Sequence, residues 1–113
     1  MSKGDHLGEF EQLVLLAILR LGDEAYGMTV RRELEKTAER DATIGSVYGT
    51  LDRLERKGYV GSWRTDPDPV RGGHRRRFFR VTPEGQLALA RVQRMMERMW
   101  EGVRLPAEGE PVS

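Results

Sequence analysis

The chain has 113 residues, 38% of them apolar and 33% charged, with a net charge of +1 and no cysteine. That length supports one small core and little beyond it, and the missing thiols exclude disulfides and cysteine-ligated metals. No apolar run approaches the ~18 residues of a membrane span, and the N-terminus lacks a secretion signal's basic and apolar regions, so a cytoplasmic location without a membrane partner is expected.

Residues 1–7 carry no pattern. From Gly8 to Leu21, GEFEQLVLLAILRL is apolar at Phe10, at every position from Leu13 to Leu19, and at Leu21. A helix greasy on almost every face must be covered on almost every side. Either later helices of the same chain cover it, or a second copy does. Gly22 ends this helix, and Asp23-Glu24 suit a turn. A second, amphipathic helix is expected from about Ala25 to Glu39, with Tyr26, Val30, Leu34 and Ala38 lining its apolar face.

The stretch TIGSVYGTLDRLERKG, Thr43 to Gly58, reads as a third helix. Val47, Leu51 and Leu54 stack on one side of it. Thr43 is the expected N-cap, and Gly58 the residue that leaves the helix left-handed. The opposite face carries Gly45, Gly49, Asp52, Arg53 and Arg56, with Tyr48 on its flank and Ser46 at the first turn. Two glycines so near a helix start each cost ~1 kcal/mol relative to alanine. Missing side chains there suit close approach by another surface, such as a DNA groove. Tyr48 could cap the core or send its hydroxyl to a phosphate or base edge. The two closely joined helices form a helix-turn-helix.

After Gly58 the period changes. Tyr59 to Thr65 reads as a strand, Asp66 to Gly73 as a long turn, and His74 to Thr82 as the return strand, with Phe79 and Val81 on one side and Phe78 and Arg80 on the other. A helix-turn-helix followed by a two-stranded hairpin is the winged-helix plan, the hairpin being the wing. Arg71, Arg75, Arg76 and Arg77, with His74, cluster around Gly72-Gly73, where arginines can fork onto phosphate oxygens. The charge distribution agrees: residues 45–82 hold 9 Lys/Arg against 4 Asp/Glu, between acidic flanks of 6 against 9 and 4 against 5.

Thr82-Pro83-Glu84-Gly85 opens a last helix expected to run to about residue 103. Leu89, Val92, Met96, Met99 and Val103 recur at the 3-4 spacing of paired helices. With Phe10, Leu13 and Leu16 they are the expected dimer interface. Met96 and Trp100 could be dimer core, or a flat, adaptable lining for an apolar effector. Residues 104–113, with two prolines and no apolar repeat, are expected to be a disordered tail. The two histidines lie far apart, and no dyad, triad or metal constellation can be assembled, so neither an enzyme nor a cofactor or metal is expected.

Four segments in order, LLAIL, AYGMTVRREL, IGSVYGTLDRLERKGYV and RGGHRRRFFRVTPEG, carry a family likeness from about Leu13 to Gly85. The chain resembles the PadR family of bacterial winged-helix transcriptional regulators, in its smaller subgroup with a single C-terminal helix. The resemblance implies a homodimer joined through the first and last helices, binding palindromic double-stranded DNA, usually as a repressor, with release by small molecules in many members. It maps the DNA-contacting first turn onto Gly45, Ser46, Val47 and Tyr48, and the wing contacts onto Gly72 to Arg77. Gly49 departs from the proline or threonine of many members.

The resulting expectation is a mainly α chain with a small β-hairpin. Residues 1–82 form a winged helix-turn-helix and residues 83–103 a dimerisation helix. Thr43, Gly45, Ser46, Val47, Tyr48, Thr50, Arg53, Arg71, Gly72, Gly73, His74, Arg75, Arg76 and Arg77 face DNA. The alternative is a winged helix used as a protein-interaction module, its basic wing meeting an acidic partner.

Overall fold

The computed structural model describes residues 6–65, 76–109 and 111. In chain order it contains α1 (Glu9–Leu21), a single 3-10 turn (Gly22–Glu24), α2 (Gly27–Ala38), α3 (Ile44–Arg56), β1 (Val60–Arg64), β2 (Arg77–Val81) and α4 (Pro83–Trp100). The expected fold class, helical with one antiparallel hairpin, is the observed one.

The helix ends follow local chemistry. Thr43 caps α3 by accepting the Ser46 N–H at 3.1 Å. At the other end Gly58 takes φ 82°. Its N–H and that of Tyr59 then donate to Glu55 O and Leu54 O, closing the orphan carbonyls of the last turn. Gly22, at φ 59°, stops α1.

One face of each of the first three helices meets the inner face of the wing. Val14, Leu15 and Ile18 of α1, Val30 and Leu34 of α2, and Val47, Leu51 and Leu54 of α3 pack with Tyr59, Val60, Phe79 and Val81. The hairpin register pairs Val60 with Val81 and Trp63 with Phe78. Phe79 and Val81 are buried while Arg80 is exposed, the alternation expected from the sequence.

Two boundaries move. The second helix begins at Gly27, because Ala25 and Tyr26 are extended and lie along the free edge of β2. Ala25 O accepts the Phe79 N–H at 2.9 Å, and Tyr26 bridges Phe78. Ala38, expected on the buried face, is exposed. The last helix stops at Trp100, and Gly102 is left-handed at φ 77°. Val103 therefore leaves the helical seam in which the 3-4 spacing placed it.

A buried carboxylate, absent from the sequence reading, ties α1 to α3. Glu11 is 5% exposed. It accepts the Gly8 N–H at 2.8 Å, both of its oxygens accept Lys57 Nζ at 3.0 and 2.9 Å, and Oε2 also accepts Arg53 Nε at 3.1 Å. Burial alone would push its pKa up, but Lys57, the Gly8 N–H and Arg53 outweigh burial and hold it below its ordinary 4.5. A carboxylate with a depressed folded pKa stabilises the fold above its unfolded pKa, and that contribution is lost as pH falls through the folded value. Glu11→Gln is expected to lose about 1–2 kcal/mol at pH 7, discounted because Lys57 and Arg53 are partly solvated. Thermal melts should show the gap to wild type closing as pH drops below about 4.5. A gap unchanged down to pH ~3 would remove the ion pairs as its cause.

Candidate DNA-binding surface

On α3 the side chains divide cleanly. Val47 and Thr50 are buried, which corrects their placement among the DNA-facing residues. Both fall on the apolar stripe, one turn from Leu51 and Leu54, and Thr50 Oγ1 accepts Arg53 Nη2 at 3.2 Å. The opposite face is open. A Cβ built at Gly45 or Gly49 would meet nothing within 4 Å. Thr43 and Ser46 are exposed beside them, the Ser46 hydroxyl donating to Thr43 O at 2.9 Å. The sequence thus leaves a strip of bare helical backbone on the outside of α3, with a hydroxyl residue at its leading end.

The surroundings of Tyr48 leave both alternatives raised by the sequence open. Its ring lies over Gly27 at the start of α2, so closely that a Cβ there would come within 2.4 Å of the ring. It nevertheless remains 37% exposed. The glycine is what lets the tyrosine lie down while keeping its edge at the surface.

The wing arginines have different roles. Arg77 donates to Asp52 Oδ1 at 2.9 Å, to Ser62 Oγ at 3.3 Å and to Glu55, and its guanidinium sits 4.8 Å over the Phe79 ring. Partial burial alone would weaken its hold on its proton, but Asp52 and Glu55 more than reverse this, so the charge is held more firmly than usual. Arg77 is therefore a clamp between wing and α3, and its charge is committed to two carboxylates. This corrects its assignment to phosphate. Arg53 likewise faces Glu11, although it stays half exposed. Arg76 is exposed, its guanidinium 4.6 Å over the Tyr26 ring. Arg71, Gly72, Gly73, His74 and Arg75 lie outside the described residues.

Arg77→Gln is expected to leave Asp52 and Glu55 uncompensated on α3, the helix expected from the sequence to face DNA, and to loosen the wing. Affinity for a specific duplex should fall about tenfold or more. Adding Asp52→Asn and Glu55→Gln to that variant should recover most of the loss. No recovery would mean that repulsion is not the cause.

Behind Arg76 the outer face of the wing carries a ladder of rings. Tyr26 meets Phe78 edge-on at 5.4 Å, Phe78 stacks on Trp63 at 5.8 Å, and Arg80 lies 5.6 Å over Trp63. No local signal in the residue order marks it, because Tyr26 reaches Phe78 only through the edge pairing described above.

The expected dimer residues also divide. Phe10, Leu13, Leu89 and Val92 are partly buried against the chain's own core. Leu16, Met96, Met99, Trp100 and Val103 are exposed, with Met99 at 70% and Trp100 at 50%. Leu19, Leu87 and Met95 extend the uncovered apolar area.

The profile of the Transcriptional regulator PadR-like family matches residues 15–91, spanning α1 to the middle of α4. The chain belongs to the PadR-like family. Its members are transcriptional regulators rather than enzymes, and they share a DNA-binding winged-helix fold. The PadR-like fold recurs in solved structures. A PadR family transcriptional regulator from Eggerthella lenta is 26% identical, with a TM-score of 0.64 over 83% of this chain and 81% of that one. A PadR family transcription regulator from a hypervirulent Clostridium difficile is 23% identical, with a TM-score of 0.65 over 82% and 96%. The hsRosR-SG chain, solved as a complex, is 23% identical with a TM-score of 0.69 over 88% and 80%. No curated protein sequence matches the chain significantly. Among the described residues no helix is long and apolar enough to cross a membrane, and no cluster of His, Asp or Glu could hold a metal ion.

Proposed function

We propose that this PadR-like chain is a cytoplasmic, homodimeric repressor that binds a palindromic operator and is released by a small apolar ligand. Residues 1–82 are the DNA-binding unit and residues 83–103 the dimerisation segment. The observation that carries the proposal is the open strip at Gly45 and Gly49, flanked by Ser46 and Tyr48. With no side chain in the way, the backbone of α3 can sit deep in a major groove while neighbouring side chains approach base edges. Wing arginines at 71, 75 and 76 neutralise phosphates and supply affinity that falls with salt.

The exposed apolar residues of α1 and α4 support the dimer. Leu16, Leu19, Met96, Met99 and Trp100 leave large apolar side chains open to water, the kind of surface that marks an interaction face. In the proposed dimer a second copy covers it and presents its own α3 for the other half-site. Trp100 and Met96 at that junction are the seat proposed for the effector.

Selection from a random pool of duplexes tests the reading directly. The expected product is an inverted repeat with half-sites about one helical turn apart, bound by a species that sediments as a dimer. Arg75→Ala with Arg76→Ala should weaken binding to all sequences and reduce the salt slope by about 1–2. A monomer that enriches no sequence would favour the protein-interaction reading instead. Quenching of Trp100 fluorescence by planar apolar compounds, in a Trp63→Phe background, reports the effector site.

A further inference from the structure

Between the start of α2, the flank of α3 and the base of the wing lies a cleft of about 470 Å³. Tyr26, Met28, Arg32, Tyr48, Arg64, Arg76 and Arg77 line it. Four arginines thus line one hollow, and among the described residues its lining contains no carboxylate. Arg77 is neutralised from behind by Asp52 and Glu55. Arg32, Arg64 and Arg76 are exposed. Like charges gathered at a concave surface repel one another and focus a positive potential into it, and an anion seated there relieves both effects.

The hollow is also shaped. Gly27 has no Cβ, and this lets the Tyr48 ring lie across the start of α2 as one wall. Tyr26, held against β2 by its bridge to Phe78, forms another, with Arg76 laid over its face. Each tyrosine brings a phenolic O–H that can donate to an anionic oxygen, beside guanidinium forks that bind two oxygens at once. Tyr48 is shared with the flank of α3, so a group held in the cleft lies directly beside whatever α3 reads.

We infer that this cleft seats one backbone phosphodiester of the bound duplex, gripped by Arg32, Arg64 and Arg76 with Tyr26 and Tyr48, and so sets how α3 enters the groove. The inference rests on the DNA-binding reading above. Arg32 and Arg64 belong to neither the α3 face nor the wing tip. They reach the same hollow only because the start of α2 packs against the hairpin.

The test uses the full-length protein and a duplex it selects. A scan replaces single phosphates with uncharged methylphosphonates. Wild type is expected to lose affinity on the order of tenfold at one position per half-site flanking the bases read by α3. Arg32→Gln with Arg64→Gln should bind the unmodified duplex more weakly and show a salt slope smaller by about 1–2. In that variant the methylphosphonate at the sensitive position should have little further effect, while other positions behave as in wild type. Gly27→Ala, which displaces Tyr48, should blunt the same position without changing the salt slope. If wild type binds duplex normally and the double variant retains the whole scan pattern, the cleft holds no backbone phosphate and the inference fails while the DNA-binding reading stands. If the cleft is titrated by millimolar inorganic phosphate and the scan is flat around it, it is a free-anion site and the inference is overturned. If wild type binds no duplex at all, both fall.

Discussion

Replacing Gly45 and Gly49 together with glutamine should weaken selective DNA binding on the order of a hundredfold without unfolding the protein. A Cβ at either position meets nothing within 4 Å, so the folded chain has room for both side chains. The helix itself should gain, because glycine in a helix interior is roughly 0.5–1 kcal/mol worse than alanine, through the backbone freedom it retains when unfolded. Gly49→Ala alone is therefore expected to raise the melting temperature by a few degrees. The glutamine side chains would occupy the space through which the α3 backbone approaches base edges. Losing two such contacts at 1–3 kcal/mol each lowers affinity on the order of a hundredfold. Stability and binding should thus move in opposite directions. Gel shifts against a selected duplex, set beside thermal melts of the same samples, check both. Undiminished affinity in the double variant would show that the open face of α3 is not the surface that enters the groove.

Gly85→Ala should have the largest effect on stability of any single methyl addition considered. Gly85 is buried in the first turn of α4, and a Cβ there would lie 2.2 Å from Tyr59 O and 2.8 Å from Val81 Cγ1. The carbonyl cannot step aside. It accepts the Thr82 N–H at 3.0 Å, while the Thr82 hydroxyl donates to Gly58 O at 2.6 Å and accepts the Gly85 N–H at 3.1 Å. Three hydrogen bonds lock the entry to α4 against the turn leaving α3, so the added methyl must break that lock or push α4 off Val81. Overpacking of this kind costs about 3 kcal/mol, a fall of about 10 °C or more in melting temperature for a domain of this size. Gly61→Ala is the matched control. It sits on the hairpin, meets nothing within 4 Å, and should change stability little. A Gly85→Ala protein melting like wild type would mean that the α4 entry is looser than these hydrogen bonds imply.

Both predictions bear on how α3 is tied to the other helices of the chain. α3 carries the bare face, and α4 carries the exposed Met96, Met99 and Trp100. The joint at Gly58, Tyr59, Thr82 and Gly85 connects the two. The Glu11 cluster forms a second connection, from α1 to Arg53 and Lys57 at the far end of α3. In the proposed dimer, a rearrangement of α1 or α4 would reach α3 through one or other of these contacts.

Much of the fold was legible in the residue order because its signals are local. Thr43 and Gly58 bound α3, and Thr82-Pro83 opens α4, because a cap needs only its own neighbours within a few residues. The apolar stripe of Val47, Leu51 and Leu54 and the alternation of Phe78 to Val81 are likewise periodicities of one element, and they fixed which faces turn inward. The bare positions at Gly45 and Gly49 were visible for the same reason. What a side chain meets across space was not. Arg77 looked like one more wing cation until β2 lay beside α3 and Asp52 and Glu55 claimed it. Thr50 looked available because a polar residue on an amphipathic helix carries no mark of being turned inward. Glu11 carries no local mark of burial, and Tyr26 falls within the periodic pattern of the second helix. The cationic hollow of Arg32, Arg64 and Arg76 draws on residues up to 44 positions apart. Local order determines which segments become helices or strands, since backbone hydrogen bonds and periodic burial act over a few residues. The tertiary structure alone decides which charges are paired and which stay open, because electrostatic partners are set by packing between elements distant in the chain.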